Sequence, residues 1–172
     1  IAPRHANRGS SAAKDISLKG LTIRRRSLGE LPTSDTQIYI ADTMGEMGLW
    51  YTVSPLVWLG KSLIGSGGQN PIEPCLFGCA IVCGNSMDNF ADIVDKLLTI
   101  DAVIQVNSWK KLAHSLQALL MAPGRAEAMG LRAKQFAEDE KLSIEKILDT
   151  LKPVLSSLGL VDNESSLSSH PI

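Results

Sequence analysis

A chain of 172 residues, 44% apolar and 20% charged, has the length and balance of an ordinary globular domain rather than a disordered or fibrous chain. Its formal net charge of −1 excludes an overall field that would draw it to nucleic acid or anionic lipid. Three cysteines, an odd number without a dense framework, suit a reducing compartment better than a disulfide scaffold. No stretch approaches the ~20 apolar residues of a membrane span. The opening IAPRHANRG carries no initiator Met and no signal-peptide succession of regions, and reads as the middle of a longer sequence.

In chain order, LTIRRR (21–26) is a short strand candidate and QIYIAD (37–42) a stronger one, rich in β-formers. TMGEMGLWYTV (43–53) reads as a turn entering a helix, and the apolar run PLVWLG (55–60) as a buried strand. The glycine-rich turn GSGGQNPIEP (65–74) follows, then a short helix ending at Gly78 and a buried strand CAIVCG. NFADIVDKLL starts at a plausible N-cap, Asn89, and AVIQV (102–106) is a last strand. Three helical segments come next: SWKKLAHSLQALLMA, a pattern over 125–139, and LSIEKILDTLKPVL. The expected domain covers 1–158, and the polar, Ser-rich 159–172 reads as a disordered tail. The βαβ alternation with near-continuous apolar strands predicts an α/β fold, a doubly wound, Rossmann-like parallel sheet. Such sheets bind ligands beyond the carboxyl ends of their strands.

The turn at 65–74 carries the most chemistry. Glycines let a backbone approach a ligand closely, and N–H groups at a helix start suit a phosphate. Glu73, in the first helical turn, is placed to accept hydrogen bonds from sugar hydroxyls. Arg4 and His5, with Arg8 following, group cationic donors at a predicted strand end, where a ligand role and a solvated one both stay open. Other conspicuous residues read as structural. Cys75, Cys79 and Cys83 repeat every four residues but do not share one face, which favours buried thiols over a metal site. Arg24, Arg25 and Arg26 read as solvated charges on a strand end, without the aromatic interleaving of a nucleic-acid surface. Helical spacing puts Met44, Met47 and Trp50 in the core. His114 reads as a partly exposed helix residue.

Taken together, PRHxxR, RRSxGELP, IYIADTMGEMGLWY, GGQNPIEP and GNSMDNFADI stand in the order and at the spacing of the Kdo (3-deoxy-D-manno-octulosonic acid) transferases, which the chain resembles over roughly residues 1 to 155. The resemblance implies the C-terminal, donor-binding domain of a GT-B glycosyltransferase, incomplete at its N-terminus. It implies transfer of Kdo from CMP-Kdo to the lipid A precursor in Gram-negative lipopolysaccharide synthesis, at the cytoplasmic face of the inner membrane. By motif, Arg4 meets the donor phosphate with His5 and Arg8 in support, and N–H groups of Met44, Gly45 and Glu46 face it too. Gly67, Gly68 and Asn70 shape the loop, Glu73 accepts ribose hydroxyls, and Asn89 caps its helix near the same edge. No cofactor or metal enters this scheme, because arginine and helix ends carry the charge.

The resemblance also implies that the membrane anchor, the acceptor surface and the catalytic base belong to an N-terminal domain outside these residues, so no catalytic residue is assigned here and the chain alone is expected to be inactive. On the family's topology, strand 21–26 lies on one side of an absent first strand and strands 37–42, 55–60 and 79–83 on the other. Faces such as Leu56, Val57 and Trp58 would then lack part of their cover, and the chain alone would fold poorly. Two alternatives stand beside this reading. One is another GT-B nucleotide-sugar enzyme using a UDP-sugar, such as an N-acetylglucosamine 2-epimerase. The other is a residual, non-catalytic nucleotide-binding domain.

Overall fold

The computed structural model describes residues 1–157, in two compact units divided between Val57 and Trp58. The tail expected over 159–172 lies outside the described residues. No helix among the described residues is long and apolar enough to cross a membrane.

The first unit opens with a 3-10 turn, Ala6–Arg8, and helix α1, Gly9–Ser17. Strand β1 (Ile23–Arg25), a second 3-10 turn (Arg26–Leu28), strand β2 (Ile38–Ile40) and helix α2 (Met47–Val53) follow. Sequence reasoning missed α1, because GSS at its start reads as a loop. The helix is stabilised where the Ser11 hydroxyl donates to the Arg8 carbonyl (3.0 Å) and where it packs on β1. β1 and β2 pair in parallel, Ile23 opposite Ile38 and Arg25 opposite Ile40. Ile1 lies along the other edge of β2: its nitrogen donates to the Tyr39 carbonyl (2.7 Å), and its carbonyl accepts the Ala41 N–H (2.9 Å). The Ile38 N–H points the opposite way, to Thr22 (3.0 Å). The expected separation of strands 21–26 and 37–42 is therefore corrected. They are direct neighbours, because alternate residues of β2 spend their backbone groups on opposite edges.

The second unit holds strand β3 (Leu56–Trp58, at the division), helix α3 (Ile72–Leu76), strand β4 (Ala80–Gly84) and a 3-10 turn (Asp88–Phe90). Helix α4 (Ala91–Thr99), strand β5 (Val103–Val106), and helices α5 (Trp109–Met121) and α6 (Pro123–Ser157) complete it. Its sheet runs β3-β4-β5, with β4 and β5 parallel from Ile81–Val103 to Gly84–Val106. Every residue of the central β4 is buried, whereas Leu56, Val57 and Trp58 on the edge strand are only half-buried. Two expected features are corrected. Asn89 does not cap α4: the Phe90 N–H bonds to the Met87 carbonyl (2.8 Å), which winds the chain into a 3-10 turn first. The last two helical segments are one helix, α6, since Glu140 and Lys141 between them are good helix formers with no breaker.

The core of this unit is closed by small residues. The α6 stripe Ala126, Met129, Ala133 and Ala137 is buried. A Cβ at Gly130 would come within 2.0 Å of the Gly78 carbonyl oxygen, so only glycine lets α6 meet the α3–β4 turn backbone to backbone. The three cysteines are buried, and desolvation pushes Cys75 and Cys83 up to about 12 and Cys79 to about 11. The wholly buried Ser62 hydroxyl donates to the Leu59 carbonyl (2.5 Å) and accepts the Gly84 N–H (2.7 Å). The Ser62 carbonyl then accepts the Ser86 N–H (2.8 Å), so the chain leaving β3 is fixed to the carboxyl end of β4.

Two outcomes are expected. Ser62→Ala strands the buried Gly84 N–H and should cost about 1–3 kcal/mol in urea unfolding with an unchanged m-value; a loss under about 0.5 kcal/mol would show that the latch is idle. The native thiols should resist a thiol-specific reagent at about pH 8 and react once urea unfolds the chain, because a neutral, desolvated thiol is a poor nucleophile. Rapid native labelling would contradict that burial.

Candidate functional site

In the first unit the functional segments are built around two arginine–carboxylate pairs. Two residues past the Arg25–Ile40 pair, parallel register brings Ser27 opposite Asp42. The Asp42 side chain is wholly buried and accepts four hydrogen bonds. Arg25 Nε (3.0 Å) and Nη2 (2.7 Å) and the Ser27 hydroxyl (2.8 Å) donate to Oδ2, and the Ser27 N–H donates to Oδ1 (2.9 Å). Burial alone would raise its pKa, but the Ser27 N–H, the Arg25 guanidinium and the Ser27 hydroxyl together hold it below the ordinary carboxylate value. Beside it, Arg26 grips both oxygens of Glu46 (2.6 and 3.1 Å), and the Thr43 hydroxyl donates to the same carboxylate. The Arg26 and Thr43 donors depress Glu46 to about 2. The Arg26 guanidinium also lies 6.0 Å from the Trp50 ring centroid, and Trp50 packs on Tyr39 at 5.6 Å.

These pairs set the turn at Met44, Gly45 and Glu46, which Gly45 closes with φ +79 before α2 begins at Met47. Met44 is 74% exposed and Met47 39%, which corrects their expected place in the core: Met44 precedes the helix, so helical spacing never applied to it. Arg25 and Arg26, expected as solvated charges, are ion-paired instead, since strand pairing brings Arg25 to Asp42 and the turn after β2 brings Glu46 to Arg26. Arg4, His5 and Arg8 are exposed at the entry to α1, and the Arg8 N–H closes a turn on the His5 carbonyl (3.0 Å).

In the second unit the glycine turn packs against 86–89. Gly67 (φ +91) and Gly68 (φ +67) are buried, and a Cβ on them would meet Asn89 Nδ2 at 2.7 Å and the Met87 sulfur at 2.3 Å. The Gly67 N–H donates to Asp88 Oδ2 (3.2 Å), so this donor is already taken by a carboxylate rather than held open for a phosphate. The Asn70 side-chain oxygen accepts the Ile72 N–H (3.0 Å) and starts α3. Glu73 is exposed in the first turn of α3, without a hydrogen bond or ion pair among the described residues. With Glu73 and Asp88 both acidic, this cluster suits hydroxyl donors better than an anion. The exposed cations Arg4, His5 and Arg8 belong to the first unit. Asp42, Ser62 and Asp88 were not singled out from sequence, and Arg25 and Arg26 were read as solvated; the signal for the Arg25–Asp42 pair was opposite charge at the ends of two candidate strands.

No protein-family model matches the chain. It is 33% identical over 156 residues to the 3-deoxy-D-manno-octulosonic acid transferase of Haemophilus influenzae, across 90% of this chain and 36% of that protein. The protein of that name from Bordetella pertussis is 29% identical, across 88% of this chain and 36% of its own length. In three dimensions the chain is similar to the C-terminal CMP-Kdo binding domain of WaaA from Acinetobacter baumannii, seen in a crystal structure. The TM-score is 0.72 at 32% identity, with 77% of this chain and 69% of that one covered. The chain spans about a third of the length of the transferases it matches.

The Arg26–Glu46 pair makes an acid-stability prediction. Glu46 titrates at about 2 in the folded chain against an ordinary 4.5, so its contribution is full above about pH 4.5 and lost as pH falls towards 2. Thermal melts from about pH 5 to about pH 2 should therefore fall more steeply in the wild type than in Glu46→Gln. Parallel slopes would show that the pair adds nothing to stability.

Proposed function

The chain belongs to the 3-deoxy-D-manno-octulosonic acid transferase family, and on that premise we propose that it holds CMP-Kdo while Kdo passes to the lipid A precursor. The observation that carries this reading is its likeness to the Acinetobacter CMP-Kdo binding domain across most of the chain. In the whole protein the acceptor hydroxyl attacks the anomeric carbon with inversion, and CMP departs. The base that takes the hydroxyl proton and the acceptor surface belong to the remainder of the protein, at the cytoplasmic face of the inner membrane, in lipopolysaccharide synthesis.

Negative charge grows on the CMP phosphate as the glycosidic bond breaks, so donors placed there lower the barrier more than they tighten ground-state binding. Arg4 takes that role, supported by His5, Arg8 and the turn N–H groups of Met44, Gly45 and Glu46. Glu73 accepts ribose hydroxyls. Asn70 holds the turn by accepting the Ile72 N–H, Gly68 allows the tight fold of the loop, and Asn89 flanks Gly67.

Nucleotide competition tests the reading, with CMP expected to displace the donor and UDP not; UDP winning would point to a UDP-sugar enzyme. In the full-length protein, Glu73→Gln should weaken CMP-Kdo use roughly 10- to 150-fold, the range of one charge-assisted hydrogen bond, with unchanged circular dichroism. Arg4→Ala should lower kcat more than donor affinity. Kinetics within about a factor of two of wild type for both variants would remove these residues from the site.

A further inference from the structure

We propose that Asp42 is a positioning residue for the donor phosphate, holding the segment that carries Arg4 and His5 and the turn at Met44–Glu46 in one arrangement. The proposal rests on the donor-site reading above, and three segments far apart in sequence meet at this one carboxylate. Arg25 and Ser27 come from the end of β1 and the turn after it, and both donate to Asp42. Gly9, the first residue of α1, backs onto it from the other side: a Cβ there would lie 2.0 Å from Asp42 Oδ2 and 2.5 Å from the Asp42 Cβ. Asp42 itself leads directly into Thr43 and the Gly45 turn.

Two of these links lead from the carboxylate to a candidate phosphate-binding segment, and the Arg25 and Ser27 donors hold it in place. The His5–Arg8 turn runs straight into Gly9, so the entry of α1 is set by how closely Gly9 can approach Asp42. Gly9 has helical φ (−55), so its requirement is for space and not for unusual backbone. On the other side, the Arg25 fork fixes the Asp42 carboxylate, and the neighbouring Arg26 fork fixes Glu46, four residues on. A wholly buried carboxylate with all its donors placed has one low-energy orientation, which makes it a rigid origin for both segments. Asp42 touches neither candidate ligand position; it acts through what it holds.

The test separates phosphate placement from folding. CMP and cytidine differ only by the phosphate, so the ratio of their affinities for the full chain reports phosphate contacts alone. A loss of folded protein would lower both affinities together. Asp42→Asn keeps the size but turns an amide donor towards groups that are themselves donors. Gly9→Ala leaves every charge in place and presses the carboxylate out of position. Each should lower the thermal melt and, measured on the folded protein below that melt, cut the CMP-over-cytidine preference roughly tenfold while cytidine affinity stays near wild type. Ser27→Ala, which removes one donor and is the mildest change, should cut it about two- to fivefold and covers the case in which the other two fail to fold. A wild-type preference in any folded variant, or an equal fall for CMP and cytidine, overturns the proposal. A wild-type chain that holds CMP no better than cytidine overturns the donor-site reading first, and the proposal with it.

Discussion

A carboxylate taken wholly out of water must be met by donors or be neutralised, and Asp42 is met by four hydrogen bonds. The first unit is arranged around that demand. The two short parallel strands set the register that brings Ser27 opposite Asp42, and the Arg25 side chain closes the remaining side. Gly9 leaves the space in which the carboxylate sits. Because a buried pair broken on one side leaves an uncompensated charge, costing about 3–5 kcal/mol, the arrangement tolerates few alternatives. What the pair contributes is one geometry for the polypeptide around it.

The second unit reaches the same end with neutral groups. Ser62 supplies one hydroxyl to two backbone groups, and Gly84 gives it room: a Cβ at Gly84 would lie 2.0 Å from the Ser62 carbonyl oxygen. Gly130 does the same where α6 crosses the α3–β4 turn, which Gly78 closes with φ +69. With β4 buried along its whole length, the loops at its carboxyl end hang from a rigid base. The glycine turn is then held from outside by Asp88 and from within by the Asn70 side chain, which accepts the Ile72 N–H. Loops placed this way present side chains such as Glu73 without spending them on the fold.

The distribution of charge follows from these two constructions. In the first unit Arg25 and Arg26 are consumed by Asp42 and Glu46, and the exposed cations Arg4, His5 and Arg8 precede α1. In the second, Asp88 accepts the Gly67 N–H of the glycine turn and Glu73 stands exposed in the first turn of α3 after it. The glycine turn, which by its sequence suits a phosphate, is thus bonded to a carboxylate.

The amino-acid sequence determined most of the element order. Apolar CAIVC and the β-former-rich QIYIA read as strands, the first wholly buried and the second partly so, and Gly78 and Ser108 mark a helix end and a helix start by local backbone chemistry. The ordered motifs identified the family, and they placed Arg4, His5, Glu46, Asn70 and Glu73 among the residues worth following. Tertiary structure decided the rest. That β1 and β2 are neighbours depends on which backbone edge each residue of β2 presents, which no local pattern records. That Arg25 and Arg26 are paired depends on parallel register across a gap of more than ten residues. That Met44 is exposed and Asn89 lies in a 3-10 turn depends on where a helix begins, a choice made by competing hydrogen bonds within one turn. Local propensity fixes what a segment can become; only long-range pairing of donors with acceptors fixes what it is set against.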